Sequence, residues 1–219
     1  MDTPEEARDY NEMDHSEVNR AFVRDFLEFC QQVQPGGTPR NLLDVGTGTA
    51  LIPLEYCRQV PTGSITAIDL AREMLTLAER NVTRAGLSDR ISLRLCDSKQ
   101  LPFADGQFDA VISNSIIHHI PEPIECLRET ARVLAPGGLL FVRDLLRPAS
   151  AEAVEGFVQQ YAGEENPHSQ QMFRQSLLAA LTVDEVRNLL TELQLPSGWV
   201  KQTSDRHWTI AGCQPPDSA

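Results

Sequence analysis

The sequence predicts an α/β protein. Its expected core is a doubly wound, mostly parallel seven-stranded sheet ending in a C-terminal antiparallel hairpin strand, with an N-terminal helical cap and a helical insertion after the fifth strand. Three observations predict this. Short apolar runs alternate with helical stretches from Leu42 to Leu145, the pattern of a parallel sheet covered on both faces. A glycine turn, Gly46-Thr47-Gly48-Thr49, joins the first of these runs to the first of these helices. Near the C-terminus, two short runs flank Ser204-Asp205 and read as a hairpin.

Taken in order, residues 1–35 are an acidic start followed by a helix, in which Val18, Phe22, Phe26 and Phe29 recur at helical spacing. Gln34-Pro35-Gly36-Gly37 breaks it. Strands are expected at Leu42 to Val45, Ser64 to Ile68, Ile91 to Leu95, Phe108 to Ser113 and Leu139 to Leu145. The intervening helices are expected at Ala50 to Val60, Ala71 to Ala85 and Pro123 to Leu134. Beyond Arg147-Pro148 the insertion, residues 149–181, is helical and interrupted around Gly163 to Pro167. Thr182 is an N-cap with Asp184 and Glu185 in the first turn of a helix reaching toward Leu195-Pro196. Trp199 to Gln202 and His207 to Ile210 form the hairpin, and residues 215–219 are a tail. Residues 36–214 are thus expected to form one domain.

Composition narrows the function classes. A formal net charge of −12 weighs against nucleic acid and anionic membrane partners, because affinity for polyanions comes largely from Lys and Arg. Cys30, Cys57, Cys96, Cys126 and Cys213 are odd in number, scattered and without CxxC spacing, which argues against a disulfide framework and a zinc site, so no metal is expected. The acidic N-terminus lacks the basic-then-apolar order of a secretory signal, so a cytoplasmic location is the expectation.

The chemistry begins at the glycine turn. Gly46 and Gly48 at a strand end let backbone approach a ligand that a Cβ would exclude, and the following helix offers unpaired N–H groups, so an adenine-containing cofactor is one reading and tight packing the other. The third-glycine place of a dinucleotide fingerprint holds Leu51, which disfavours NAD. Asp69, closing the second strand, suits a ribose diol or a helix cap. Asp97, after the third, suits an exocyclic amine or a turn.

In this order the motifs resemble the class I (Rossmann-like) S-adenosylmethionine-dependent methyltransferases of the small-molecule type. Leu42-Leu43-Asp44-Val45-Gly46-Thr47-Gly48-Thr49 resembles the first motif, Ala67-Ile68-Asp69-Leu70 the second-strand acid and Cys96-Asp97-Ser98 the adenine contact. Phe108-Asp109-Ala110-Val111-Ile112-Ser113 is similar to the fourth-strand motif, and Arg132-Val133-Leu134-Ala135-Pro136-Gly137-Gly138 to the turn before the fifth strand. The third small residue of the loop is Ala50 here. The resemblance implies S-adenosylmethionine as cofactor, with S-adenosylhomocysteine as product. It places the backbone around Gly46, with Thr47 and Gly48, at the methionine moiety, Asp44 orienting the loop or the cofactor through water, Asp69 and Leu70 at the ribose, Met74 on the adenine face, and Asp97 and Ser98 at its edge. Ser113 and Asn114 would lie at the cofactor's amino group and open the acceptor pocket; Met74 reads equally as core packing.

Transfer of a methyl from a sulfonium is an in-line displacement that needs collinear, dry positioning more than strong acid–base groups. Polar residues at the carboxyl edge of the sheet are therefore acceptor candidates: His118, Asp144 and Arg147 as contacts, and His119, by its match to the family position, as a possible base or a merely satisfied imidazole. Tyr10, a second catalytic candidate, and His15 and Asn19, candidate substrate contacts, belong to an N-terminal segment that either caps the pocket or is solvated tail. Tyr10, His15, His119 and Arg147 are expected to converge on a small-molecule acceptor, one bearing a carboxylate or phosphate if Arg147 points inward. An NAD-dependent oxidoreductase and a non-catalytic cofactor-binding module are the alternatives.

Overall fold

The computed structural model describes Asn11 and residues 16–216. Seven strands form one sheet in the order β3-β2-β1-β4-β5-β7-β6: β1 (Asn41–Val45), β2 (Ser64–Asp69), β3 (Ile91–Leu95), β4 (Phe108–Asn114), β5 (Leu134–Leu145), β6 (Val200–Gln202) and β7 (His207–Cys213). The strands β1 to β4 pair in parallel and β6 pairs with β7 antiparallel, as the alternation and the hairpin predict. The chain winds outward from β1 through β2 to β3, then returns to β1's other side with β4, so the strand order switches at the β1/β4 junction. Ligands of open α/β sheets bind outside the carboxyl ends of strands at such a switch.

The described helices are α1 (Ser16–Val33), α2 (Leu51–Gln59), α3 (Arg72–Arg84), α4 (Pro123–Val133), α5 (Ala151–Ala162), α6 (Pro167–Ala179) and α7 (Val183–Glu192). None among the described residues is long and apolar enough to cross a membrane. The chain divides into two compact units. The first holds residues up to 114, 125–142 and from 211 on; the second holds 115–124 and 143–210.

In the first unit, α1 buries Phe22, Val23, Phe26 and Cys30 and leaves Val18 at the surface, so the stripe read from sequence is shifted around the helix. Phe141 of β5 gathers this face: the rings of Phe22, Phe26 and Phe29 lie 5.3, 5.6 and 5.9 Å from it. Strand β5 begins at Leu134 rather than at Leu139. Across the Pro136-Gly137-Gly138 segment, where Gly137 turns left-handed at φ 75°, Gly137 N donates to Gln214 O and Gln214 N to Gly138 O. A Cβ on Gly138 would meet Ala135 O at 2.8 Å, so only glycine fits there.

In the second unit, Leu145, Val154, Val158, Leu177 and Ala180 form a core backed by Phe157 and Phe173. The helix α7 starts in a capping box, with Thr182 and Glu185 each accepting from the other's backbone N–H. It stops at Glu192, short of the expected Leu195, because Gln194 turns left-handed at φ 59° and Leu195 N closes onto Leu190 O.

Candidate functional site: a glycine turn held by Asp69

The β1–α2 turn is built from left-handed residues. Gly46, Gly48 and Ala50 have φ of 75°, 56° and 63°, and the N–H groups of Gly46 and Thr47 both donate to Ile68 O of β2. Asp69 completes the turn: its Oδ2 accepts from Gly48 N at 2.7 Å and its Oδ1 from Ala71 N at 2.8 Å, just before α3. One carboxylate thus holds both the glycine loop and the entry to α3, and each oxygen keeps a further lone pair for a ligand. The two sequence readings of Asp69, ligand acceptor and local cap, are compatible in this geometry.

Asp44, 2% exposed at the end of β1, is the site's unsatisfied charge. Its Oδ2 and the hydroxyls of Thr47 and Thr49 are buried with no hydrogen-bond partner among the described residues. Burial raises the Asp44 pKa to about 7; the Thr47 hydroxyl nearby, outside hydrogen-bond geometry, opposes the rise and the Asp69 charge adds to it. Buried unpaired polar groups are costly, so three of them beside a glycine turn form a receptor for something polar. A cationic ligand would restore the charge that burial suppresses. These residues therefore fit the methionine end of S-adenosylmethionine, which carries an ammonium and a sulfonium.

Toward β3, Leu70 and Leu95 are 67% and 48% exposed, large apolar side chains next to Asp69 and just before Cys96-Asp97 in the chain. Asp97 Oδ1 accepts from Lys99 N at 2.9 Å, the turn geometry sequence allowed for, and Ser98 is partly buried beside it. Met74 is buried at 3%. Ser113 is committed elsewhere: its hydroxyl donates to Val45 O at 2.8 Å, tying β4 to β1, while Asn114 is partly buried at the strand end.

Sequence reasoning missed a fastening of this edge. Arg132 of α4 donates to the carbonyls of Leu101 and Phe103 and to Asp105, and it pairs with Glu129, whose Oε2 accepts from Leu101 N at 2.7 Å. The pair pins the loop that follows Asp97. Its only trace in the sequence is a Glu–Arg spacing of three on a helix, which is common on any helix surface. Asn81 of α3 is a second omission, donating to Thr49 O and to Asn11 Oδ1.

The acceptor candidates fall differently. Tyr10 and His15 lie outside the described residues, and Asn19 is partly buried on α1. In the second unit, a short 3-10 turn (Ile117–His119) follows β4 and places His118 Nδ1 2.5 Å from Asp144 Oδ1, both side chains almost wholly buried. Asp144 also accepts from Ile117 N through Oδ2 and from Leu145 N through Oδ1, so both of its oxygens are hydrogen-bonded. His119 has no such partner among the described residues and is more exposed. Partial desolvation of its ring and the His118 ring 4.0 Å away lower its pKa to about 4. Arg147 does not stand free for an acceptor anion: its guanidinium pairs with Glu185 of α7.

Residues 43–142 match the family model of the methyltransferase domain. The chain is 36% identical to a demethylmenaquinone methyltransferase of Porphyromonas gingivalis over 120 residues, 54% of this chain and 49% of that one. It is 33% identical to a ubiquinone/menaquinone biosynthesis C-methyltransferase of Geotalea daltonii over 109 residues, 49% of this chain and 46% of that one. The chain therefore spans about half the length of the curated relatives it matches. Among solved structures it resembles an S-adenosylmethionine-dependent methyltransferase from Aquifex aeolicus, with TM-score 0.70, 19% identity and 96% and 98% of the two chains covered. It also resembles the plantazolicin methyltransferase BpumL in complex with a monoazolic desmethylPZN analog and S-adenosylhomocysteine, with TM-score 0.75, 16% identity and 95% and 88% covered. The sheet order and the glycine turn thus define a Rossmann-like cofactor-binding fold. Within that fold the match to the methyltransferase domain covers residues 43–142, a little under half of the chain.

Proposed function

We propose that this chain transfers a methyl group from S-adenosylmethionine to a small-molecule acceptor by in-line displacement. The observation that carries the reading is the glycine turn locked by Asp69 around three buried, unpartnered polar groups, Asp44 Oδ2, Thr47 Oγ1 and Thr49 Oγ1. When bound, the cofactor supplies an electrophilic methyl on sulfonium sulfur. Asp44, Thr47 and the turn's backbone would hold its methionine end. Asp69 would accept from its ribose, and Leu70, Met74, Asp97 and Ser98 would hold its adenine. The task left to the protein is orientation and exclusion of water. Aromatic, quinone-like acceptors are the favoured class, since the curated relatives named above methylate quinone precursors by name. A net charge of −12 disfavours nucleic-acid acceptors.

A thermal-shift scan tests the cofactor assignment. Ligand at about 100 times its dissociation constant adds about 2.7 kcal/mol, so S-adenosylmethionine and S-adenosylhomocysteine should raise the melting temperature while NAD and NADP leave it unchanged. A rise with NAD alone would return the dinucleotide alternative, against which Leu51 stands at the third-glycine place. Cofactor binding without release of S-adenosylhomocysteine across an acceptor screen would favour the non-catalytic module.

A further inference from the structure

We propose that Asn81 is a positioning residue of the cofactor site: its side-chain amide fixes the Thr49–Ala50 peptide of the glycine turn and ties Asn11 to the same point, so that Asn11 adds to affinity for the cofactor's methionine end through Asn81. The inference rests on the cofactor reading above. It adds a residue that no motif of the turn contains, and a link to the turn from the chain before α1.

Three observations carry it. The first is where Asn81 stands. The buried residues of α3 are Met74, Ala78 and Val82, and position 81 falls on their stripe, one helical turn after Ala78. Asparagine is a poor helix former, and a part-buried amide on such a stripe is costly unless its hydrogen bonds are made. Those of Asn81 Nδ2 are made outside the helix, to Thr49 O at 3.0 Å and to Asn11 Oδ1 at 2.9 Å. All of these residues belong to the first compact unit.

The second is what the bond to Thr49 does. Asp69 Oδ2 accepts from Gly48 N at 2.7 Å, Thr47 O accepts from Ala50 N at 3.0 Å, and Asn81 takes the carbonyl between them. With its N–H and its C=O both bonded, the Thr49–Ala50 peptide plane resists rotation. Ala50, fully buried, is thereby kept at φ 63°, a conformation that residues with a Cβ seldom adopt. Thr49 also carries one of the three buried groups that have no hydrogen-bond partner among the described residues, so the plane that Asn81 fixes sets where that hydroxyl stands.

The third is that the amide has one usable orientation. Thr49 O is a carbonyl and only accepts, so the nitrogen of Asn81 must face it, and the second N–H of that nitrogen meets Asn11 Oδ1. One NH2 group thus serves two partners. Each bond restrains the rotamer that the other needs, so Asn11 steadies the Asn81 amide on the turn. Asp69 and Asn81 divide the work: the acid holds the N–H of Gly48, and the amide holds the C=O of the next residue.

The test uses the full chain as wild type, Asn81→Leu, Asn11→Ala and the double variant. Calorimetry compares two probes: S-adenosylhomocysteine, and 5′-methylthioadenosine, which keeps the ribose and adenine but lacks the amino-acid end. Asn81→Leu should bind S-adenosylhomocysteine about tenfold more weakly and 5′-methylthioadenosine within about threefold of wild type. Equal losses for both probes, or no loss for either, overturn the proposal. Asn11→Ala should weaken S-adenosylhomocysteine about threefold in the wild-type background and not measurably in the Asn81→Leu background. The same loss in both backgrounds overturns the link. Hydrogen exchange of the free protein separates this proposal from the cofactor assignment: the Ala50 amide should exchange about tenfold faster in Asn81→Leu, while the amides of β1 and β2 keep their rates. An unchanged Ala50 rate overturns the proposal whichever probes bind. Should the wild type bind neither probe, the cofactor reading falls, and the Ala50 rate still decides whether Asn81 holds the turn. Asn81→Ala, a better helix former at the same place, replaces Asn81→Leu if that variant does not fold.

Discussion

Asp69 Oδ2 accepts a hydrogen bond from Gly48 N at 2.7 Å, and the same carboxylate accepts from Ala71 N through Oδ1. The residue proposed to read the cofactor ribose is therefore also the residue that shapes the glycine turn proposed to hold the methionine end. Removing it strikes both.

Asp69→Ala is expected to weaken S-adenosylhomocysteine binding at least tenfold, since hydrogen bonds to a charged acceptor contribute about 1.5–3 kcal/mol each before compensation. It should also cost about 1–2 kcal/mol of stability, because two part-buried N–H groups lose their acceptor. Calorimetry on the folded variant, with urea unfolding alongside, checks both. Unchanged affinity would reduce Asp69 to a local cap.

The raised pKa of Asp44, about 7, makes two linked expectations. In the free protein the folded chain holds a proton that the unfolded chain gives up near the ordinary aspartate value. The contribution of Asp44 to stability is therefore full below about pH 4 and is lost as pH rises toward 7. The difference in stability between wild type and Asp44→Asn, followed by urea unfolding, should move in favour of Asn across that window. Binding runs the other way: a cationic cofactor prefers the ionised carboxylate, so S-adenosylmethionine should bind about tenfold more tightly at pH 8 than at pH 6. In Asp44→Asn that slope should vanish. A slope retained by the Asn variant would assign it to another group.

The sheet and the glycine turn at its edge were legible because both write themselves locally. Strand–turn–helix alternation, the two glycines of the turn and an acid closing β2 are each short-range patterns with one geometric solution. What sequence could not show is which groups meet across long separations. His118 and Asp144 are 26 positions apart and read as two separate acceptor candidates; their pairing is what distinguishes His118 from its neighbour His119. Ser113 looked open at a strand end, yet its hydroxyl closes onto Val45 O across the strand pair. The Arg132 fastening spans α4 and a loop some thirty residues earlier, and carries no local signal beyond a helix spacing.

Arg147 illustrates the same limit and gives a third expectation. With its guanidinium on Glu185, and both side chains substantially exposed, Arg147→Ala should change stability by no more than about 1 kcal/mol. Glu185→Ala should cost more, about 1–2 kcal/mol, because Glu185 also accepts from Thr182 N at 2.8 Å and completes the capping box of α7. Urea unfolding of the two variants should show this asymmetry. Equal losses would mean that the ion pair, and not the cap, is what Glu185 contributes.

Ala50 supplies the last expectation. It occupies the third small position of the cofactor loop, is fully buried, and sits at φ 63°, where L-residues are strained by about 1–2 kcal/mol. Ala50→Gly would relieve that strain but would forfeit about 0.8 kcal/mol of methyl burial and add backbone freedom to the unfolded chain, worth a further 0.5–1 kcal/mol by rough account. The three nearly cancel, so its unfolding free energy should stay within about 1 kcal/mol of wild type. That near-neutrality explains how alanine can stand where the conformation favours glycine. Ala50→Val should behave otherwise. A β-branched side chain is an outlier at positive φ, and two extra methyl groups must enter a site with no exposed surface, so a loss of about 3 kcal/mol or more is expected, along with weakened S-adenosylhomocysteine binding. Melting temperatures of the two variants, with and without S-adenosylhomocysteine, would check this. A well-folded Ala50→Val variant with wild-type affinity would mean that the loop can leave the left-handed conformation at no cost to the site.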